Sequence, residues 1–301
     1  MDKTEKKYSD LNANIPVTFH STFGKQVFRP YGIAVDGSNC IYVTEASTGR
    51  ITKFDENGEP QLSFGRGEGS IFKKAGRLSR PTGIDVEDHG NSFVADVNQN
   101  KIFKFDPNGR FIKTIGVRGS MDGQFNHCRN VRIDGEGNLW AVDRNNHRLQ
   151  KFDSEGNFLF KLGKYGREAR GLGCFDRPSD MAFDAQGCMY VVDEFNNRVQ
   201  KFDPQSNFMF KFGRAGNGKG EFIDPRGITI DSDQRVYVTD AYRDMVNVFT
   251  TEGRFLFHFY GPLMVSGAFY RPVGIATSSE GRIYIADYQN NRIMVFSIQK
   301  Q

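Results

Sequence analysis

Few residues in this sequence suit a disulfide framework or a metal site. The chain contains four Cys, five His and one Trp in 301 residues. Cys40, Cys128, Cys174 and Cys188 form no Cys-x-x-Cys pair, so we expect reduced thiols that pack as small apolar groups. We therefore expect no bound metal and no cofactor.

Long hydrophobic runs are also missing. No apolar stretch approaches the ~18 residues of a membrane helix, so no membrane insertion is expected. The first residues, MDKTEKKYSDLNANIP, are charged and polar and lack the apolar core of a signal peptide. These features predict a solvated tail over residues 1–15 and a cytoplasmic protein.

The chain is rich instead in a repeated segment. VDRNNHRLQKFDSEGNFLFKLG, which begins at Val142, has close copies at Val192, Ala95 and Thr44 and weaker copies at Thr239 and Ala286. A Pro-x-Gly-Ile type segment precedes each copy, with its proline slot at positions 30, 81, 128, 178, 225 and 272, and Cys128 replaces proline in the third copy. A repeat period of 20 to 50 residues indicates a solenoid or a propeller.

Each repeat contains four strand signals, here called a to d, separated by turns such as DGEGN. Four antiparallel strands repeated six times predict an all-β, six-bladed β-propeller. The single Trp argues against WD40 repeats, which need Trp-Asp pairs. After Arg292 the chain supplies a strand c and ends, while residues 16–24 form a spare strand. We therefore expect this first strand to complete the last blade, with Phe23 packed there, in a single domain over residues 16–301.

The repeat resembles the NHL repeat, whose name reads through Asn146, His147 and Leu149. The resemblance covers roughly residues 16 to 298 and implies a six-bladed propeller. NHL propellers attached to tripartite-motif proteins bind RNA on a basic face, and many stand-alone NHL proteins are similar to this chain as well.

A recurring pair of charges closes the hairpin between strands b and c. An acid lies five residues before a base in five repeats, so the two are predicted to pair across the hairpin and to be structural, not catalytic. The pairs are Glu45–Arg50, Asp96–Lys101, Asp143–Arg148, Asp193–Arg198 and Asp287–Arg292. In the fifth repeat Asp240 faces Met245, and Arg243 is the candidate substitute for the missing base.

Catalysis is the less favoured interpretation. Some propellers of similar architecture are calcium-dependent hydrolases with several oxygen ligands at one mouth of the channel. Two positions past the proline slot, only Asn130 and Asp180 offer oxygens, and two positions further Asp85 and Arg132 are expected to pair with each other. The histidines fall at unrelated positions in the repeat, unlike those of NHL-like lyases that hold zinc. No catalytic residue is predicted.

Charge distribution favours binding. In an antiparallel blade the d–a and b–c loops emerge on one side of the disc, the loop face, and the a–b and c–d turns on the other, the turn face. The d–a loops carry 17 basic and 6 acidic residues, whereas turn residues are mainly acidic. Basic and aromatic candidates on the loop face are Arg66, Lys73, Lys74, Arg77, Arg80, Arg129, Lys164, Tyr165, Arg167, Arg170, Phe195, Tyr242 and Tyr288.

Two kinds of partner fit such a face. A positive surface suits an acidic protein partner, which makes a non-catalytic scaffold the first interpretation. Aromatic rings beside basic residues also suit single-stranded RNA, which makes an RNA-binding module the alternative. A metal-dependent hydrolase or lyase is the third.

Overall fold

The computed structural model describes residues 16–66, 75–166, 173–262 and 267–298. These residues form six four-stranded antiparallel sheets, each the blade of a β-propeller, as predicted from the repeats. The loops between strands b and c are four residues long, and three of them form short 3-10 helices: Arg144–Asn146, Glu194–Asn196 and Tyr288–Asn290. No helix among the described residues has the length and hydropathy needed to cross a membrane.

Blades 1 to 3 follow the chain in order, with strand a innermost. Blade 1 consists of β2 (Pro30–Val35), β3 (Ile41–Glu45), β4 (Arg50–Phe54) and β5 (Pro60–Phe64). Blade 2 consists of β6 (Pro81–Val86), β7 (Ser92–Asp96), β8 (Lys101–Phe105) and β9 (Phe111–Ile115). A short parallel pair, β10 (Val117–Arg118) and β11 (Gln124–Phe125), lies in the next loop. Blade 3 consists of β12 (Cys128–Ile133), β13 (Leu139–Asp143), β14 (Arg148–Phe152) and β15 (Phe158–Leu162).

Blades 4 to 6 repeat this order. Blade 4 consists of β16 (Asp180–Phe183), β17 (Met189–Asp193), β18 (Arg198–Phe202) and β19 (Phe208–Phe212). Blade 5 consists of β20 (Pro225–Ile230), β21 (Arg235–Asp240), β22 (Met245–Thr250) and β23 (Phe255–Tyr260). Blade 6 consists of β24 (Pro272–Thr277), β25 (Arg282–Asp287), β26 (Arg292–Ile298) and β1 (Val17–Phe23).

The N-terminal strand closes the ring. β1 pairs antiparallel with β26, from Val17 opposite Ile298 to Phe23 opposite Ile293. The Phe23 ring lies 5.0 Å from the ring of Phe54 in blade 1 and 6.4 Å from that of Tyr284 in blade 6. The predicted closure is confirmed, and Phe23 packs between the last and first blades. Pairing with β1 covers the outer edge of β26, which would otherwise be unpaired.

Turn chemistry explains why the strands end where they do. In the turn after β12, the Asp134 carboxylate accepts hydrogen bonds from the backbone amides of Glu136 and Asn138. Gly137 has φ of 81°, a left-handed conformation that glycine adopts without steric cost. The acidic residues of the turn face therefore have a backbone role.

The blades pack through apolar residues that the repeat analysis did not single out. An apolar residue three positions before each proline slot is buried to at least 96 %: Val27, Leu78, Phe125, Phe175, Phe222 and Phe269. In blade 4, for example, the Phe175 ring lies 5.9 Å from that of Phe202 on strand c. Fully burying one such side chain contributes roughly 1.5–3 kcal/mol, so these loop residues hold the d–a loops against the disc. The four cysteines are unpaired, and three of them are buried.

Candidate functional site

Exposed apolar side chains mark two regions of the disc. One group lies on the loop face: Phe28, Val117, Met121, Tyr165, Phe195, Tyr242 and Tyr270. The other lies on the outermost strands: Ile112, Leu159, Phe160, Met209 and Leu256. Among the described residues the turn face contributes no large exposed hydrophobic side chain. Exposed apolar patches commonly mark interaction sites, and the loop face combines exposed apolar side chains with basic residues.

The structure places the predicted basic candidates differently. Arg66, Arg77, Arg80 and Lys164 are exposed in d–a loops. Lys73, Lys74, Arg167 and Arg170 lie outside the described residues. Arg129, predicted on the exposed face, is instead only 8 % exposed. It follows the innermost strand's first residue and therefore points to the centre of the ring, where the neighbouring blades cover it.

Several predicted aromatic residues already contact cations. The Phe195 ring has the guanidinium carbons of Arg144 and Arg177 at 5.3 and 4.7 Å from its centroid. Tyr288 lies 6.0 Å from Tyr31, edge to face, and 5.9 Å from the guanidinium carbon of Arg29. These rings therefore belong to mixed aromatic and basic clusters.

Two other aromatic candidates are more open. Tyr242 is 71 % exposed, in the b–c loop of blade 5. Tyr165 is 54 % exposed, with its ring 4.6 Å from that of His147. Both present a large ring surface to solvent on the loop face.

A ring of side chains surrounds the channel mouth on the loop face. It is formed by the residues that follow each proline slot, namely Tyr31, Thr82, Arg129, Ser179, Arg226 and Val273. Five of these six residues, all but Thr82, line a central cavity of about 20 Å³. A space of this size holds roughly one water-sized group.

The next ring narrows the channel. Its residues are Gly32, Gly83, Asn130, Asp180, Gly227 and Gly274. A Cβ atom on Gly32 would lie 2.2 Å from the carbonyl oxygen of Thr82, and one on Gly274 would lie 2.2 Å from that of Tyr31. The innermost strands approach so closely that most positions accept only glycine.

Below this ring an arginine fills the channel. The Arg132 guanidinium pairs with Asp180 at 3.1 Å and donates to the carbonyl oxygens of Ile84 and Met181 at 3.0 and 3.1 Å. Asn130 also donates to Asp180. The expected ion pair of Arg132 with Asp85 does not form among the described residues, since Arg132 pairs with Asp180 and the Asp85 carboxylate accepts the backbone amide of Ile133.

This arrangement bears on the metal-site alternative. Burial raises the pKa of Asp180 to about 6, and Arg132 opposes that shift. Both oxygen-bearing side chains at this level therefore already have protein partners: Asp180 pairs with Arg132, and the Asn130 oxygen accepts the backbone amide of Val131. Within the described ranges no group of three or more His, Cys, Asp or Glu side chains is placed to hold a metal ion.

A carboxylate buried beside the channel mouth was missed by the sequence analysis. Glu194 is 3 % exposed and pairs with Arg144 at 2.7 Å and with Arg226 at 3.1 Å. Arg226 also pairs with Asp224 at 2.7 Å. Arg144 and Glu194 each follow the acid that ends strand b. Because they hold equivalent positions in adjacent blades, their ion pair could have been predicted from the sequence.

The hairpin charges form ion pairs in four of the five predicted places. The nitrogen-to-oxygen distances are 2.7 Å for Glu45–Arg50, 2.8 Å for Asp143–Arg148, 2.8 Å for Asp193–Arg198 and 2.7 Å for Asp287–Arg292. The arginine also reaches carbonyl oxygens of the preceding d–a loop, as Arg148 does with Met121 and Gln124. These ion pairs and hydrogen bonds therefore join strands b and c to the preceding d–a loop.

The fifth expected pair does not form. Lys101 lies opposite Asp96 in the strand register, yet no ion pair joins them in the described part of the chain. The Asp96 carboxylate accepts the backbone amides of Ser79, Arg80 and Gln99, and the acids of the paired hairpins accept loop amides as well. A lysine amine also lacks the forked donors that let arginine bind an acid and loop carbonyls together.

In blade 5, Arg243 replaces only part of the missing arginine. Its guanidinium donates to the carbonyl oxygens of Glu221 and Asn217 at 2.9 and 2.8 Å. Its backbone amide, rather than its guanidinium, donates to Asp240 at 3.3 Å. The buried Asp240 carboxylate is otherwise held by the amides of Ile223 and Asp224.

Comparisons with known proteins place this geometry among propellers. The sequence model of the NHL repeat matches residues 269–296, and one described as a 6-bladed beta-propeller matches residues 77–167 and 177–235. No curated protein matches the chain in sequence.

Solved structures share the fold at low identity. A streptogramin B lyase is 12 % identical with a TM-score of 0.64, over 94 % of this chain and 98 % of that one. A gluconolactonase from Xanthomonas campestris is 14 % identical with a TM-score of 0.65, over 92 % and 88 %. A virginiamycin B lyase from Staphylococcus aureus is 14 % identical with a TM-score of 0.60, over 94 % and 99 %. The chain is therefore a six-bladed β-propeller, in which residues 269–296 match the NHL repeat.

Proposed function

We propose that this propeller is a non-catalytic binding scaffold that engages a protein partner through its loop face. The observation that carries the proposal is the concentration of exposed aromatic and apolar side chains there, among arginines. Aromatic residues, Met and Arg are enriched at protein interfaces. The exposed side chains Phe195, Tyr242, Tyr270 and Met121 supply this composition around the channel mouth.

RNA is the second candidate for the same face. Exposed Tyr165 and Tyr242 could stack bases, and the basic loops could contact phosphates. Against this reading, Phe195, Tyr31 and Tyr288 already have guanidinium groups within 6 Å of their ring centroids, which compete with a base for the same ring face. The clusters therefore favour a protein surface over a stacking platform.

Catalysis, as named for the lyase and gluconolactonase neighbours, is the third candidate. It receives less support, because Asp180 already binds Arg132 and Asn130 and the cavity above them is small. Neither neighbour exceeds 14 % identity, which relates the folds alone.

Photo-crosslinking tests the binding face. A benzophenone amino acid replaces Tyr242 on the loop face, and in a second protein it replaces Glu56 on the turn face. We expect protein adducts from position 242 that survive nuclease and are lost when Phe195→Ser and Tyr270→Ser are added. Leu159→Ser with Met209→Ser is the matched control, since it removes comparably exposed apolar side chains from the outermost strands.

Three results would contradict the proposal. Adducts that disappear with nuclease would favour RNA. Adducts from position 56 alone would assign binding to the turn face. Equal loss in the Leu159/Met209 control would mean that exposed apolar area in general, and not the loop face, drives capture.

A further inference from the structure

Arg129 carries a charge that no ion pair within the described residues neutralises. The residue is 8 % exposed, and within the described residues its guanidinium donates no hydrogen bond and forms no ion pair. Its recorded contact is the Tyr31 ring, whose centroid lies 4.7 Å from the guanidinium carbon. Burial lowers the pKa of Arg129 to about 9. A buried cation without a partner is costly, so a retained one points to a ligand.

The charges around Arg129 leave room for one negative charge. Among the buried groups, Arg144 and Arg226 are matched in number by Glu194 and Asp224, with which they form ion pairs. The half-exposed Arg271 also lies 3.6 Å from Asp224. Arg129 is the surplus cation of this group. A single monoanion would balance it, whereas a dianion would meet repulsion from the two carboxylates nearby.

The space at the channel mouth sets the size of the ligand. The central cavity of about 20 Å³ is lined by Arg129, Arg226, Tyr31 and Ser179, and Arg132 with Asp180 lies immediately below them. A ligand can therefore insert only its terminal group into this cavity. Because the guanidinium carbon lies over the Tyr31 ring and no hydrogen bond within the described residues uses its N–H groups, these donors remain available for a planar acceptor.

We propose that Arg129 binds a single carboxylate, presented by the protein partner, at the mouth of the central channel. This inference rests on the proposed function, because it names the group of that partner that reaches the centre of the loop face. A carboxylate is a planar monoanion that an arginine binds with two parallel hydrogen bonds. Phosphate is larger and carries more charge at neutral pH, so it fits this site less well.

Small probes test the site on the whole chain. The Arg129 Nε–Hε resonance, identified by its loss in Arg129→Met, is followed by NMR at fixed ionic strength in chloride. N-acetylglutamate α-methylamide offers a side-chain carboxylate, N-acetylglycylglycine offers a terminal one, and inorganic phosphate is the third titrant. We expect a saturable shift with one or both carboxylates, and the active probe identifies the source.

Variants give the expected size of the effect. Arg129→Met should weaken probe binding at least tenfold while the melting temperature stays or rises, since an apolar side chain replaces a buried cation. Arg129→Lys keeps the positive charge but loses the two parallel N–H donors of the guanidinium, so it should weaken probe binding severalfold. Arg110→Met, an equal charge change on the turn face, should stay within twofold. No saturable shift with either carboxylate, or equal saturation by phosphate, would overturn the inference.

The crosslinked partner separates this inference from the proposed function. If Phe195→Ser with Tyr270→Ser abolishes capture and Arg129→Met does not, the scaffold stands and the carboxylate contact is wrong. If the probes saturate Arg129 but no loop-face variant affects capture, the anion site stands and the scaffold fails. Loss of capture in both variants supports the two together.

Discussion

At the scale of the residue, the surroundings decide what an arginine does in this chain. Arg198 is 1 % exposed and is bound by Asp193 and the Cys174 carbonyl. Arg132 is held mainly by backbone carbonyls inside the channel. Arg129 has a ring beneath it and no acceptor. The same type of side chain therefore forms a structural ion pair, fills the central channel or offers a ligand-binding group, depending on its surroundings.

A histidine on the loop face gives a pH-dependent prediction. Burial, with help from Arg144 and Arg80, lowers the pKa of His127 to about 4. The unfolded chain, with a pKa near ~6.5, therefore takes up this proton first as the pH falls. Stability that His127 supports above about pH 6.5 is lost as the pH falls toward 4.

Replacing His127 should flatten that dependence. Asn tolerates the positive φ of 66° at this position. We expect His127→Asn to lose less unfolding free energy between pH 7 and pH 4 than the parent, by on the order of 1–3 kcal/mol. Urea unfolding across this range measures the difference. His89→Asn, at an exposed turn, is the control, and equal slopes for His127→Asn and the parent would contradict the assignment.

At the scale of the element, blade 5 departs from the pattern of the other blades. Met245 occupies the position of the arginine that opens strand c, and it is fully buried. Asn247, at the position held by Gln150 in blade 3, is also fully buried, and its side-chain amide has no hydrogen-bond partner in the described structure. Gln150 reaches both Gln124 and Asp143, and the shorter Asn does not span that gap. Blade 5 therefore has a weaker link between its hairpin and its loop.

Placing an arginine at position 245 should not by itself stabilise blade 5. Arg243 already occupies the loop carbonyls that an arginine at position 245 would need. We expect Met245→Arg to lower the unfolding free energy by about 1–3 kcal/mol, because it buries a second cation beside the first. Adding Arg243→Ala should recover stability, since one guanidinium could then bind Asp240 and the loop together.

A double-mutant cycle checks this coupling. Denaturant unfolding of the two single variants and the double variant gives the interaction free energy. Favourable coupling of at least about 1 kcal/mol is expected between contacting positions. A neutral or stabilising effect of Met245→Arg on its own would contradict this model. It would show that Arg243 does not compensate for the missing partner of Asp240.

At the scale of the whole molecule, stability depends on closing the ring. β1 is the outermost strand of blade 6, and Phe23 contacts both blade 6 and blade 1. Removing it exposes β26 and opens the apolar contact between the first and last blades. The two ends of the chain are therefore part of one cooperative structure.

Two truncations test this closure. Deletion of residues 1–24 removes β1 and should lower the unfolding free energy by several kcal/mol, a drop in melting temperature of roughly 10 °C or more. Deletion of residues 1–15 keeps β1 and serves as the control, with little change expected. Calorimetry compares the two. Similar melting of both truncations would show that β1 does not hold the ring together.

The sequence by itself determined the features that depend on local patterns. The repeat fixed six blades, the Asp–Gly turns fixed where strands end, and the five-residue spacing brought acid and arginine together across one hairpin. Such contacts join residues close in the chain, so their geometry follows from the turn between them. The exception is Asp96–Lys101, the one pair whose base is a lysine, and a lysine amine lacks the forked donors that join an acid to loop carbonyls.

Only the tertiary structure decided what lies at the centre of the disc. Arg132 is 47 residues after Asp85 and 48 before Asp180, so spacing could not choose between them, and the ring places its guanidinium against Asp180. Arg129 belongs to a basic loop by sequence, yet closure of six blades around a narrow channel buries it against Tyr31. The physical reason is the same in both cases: the innermost strands of different blades meet only after the ring closes, and their contacts set which charges find partners.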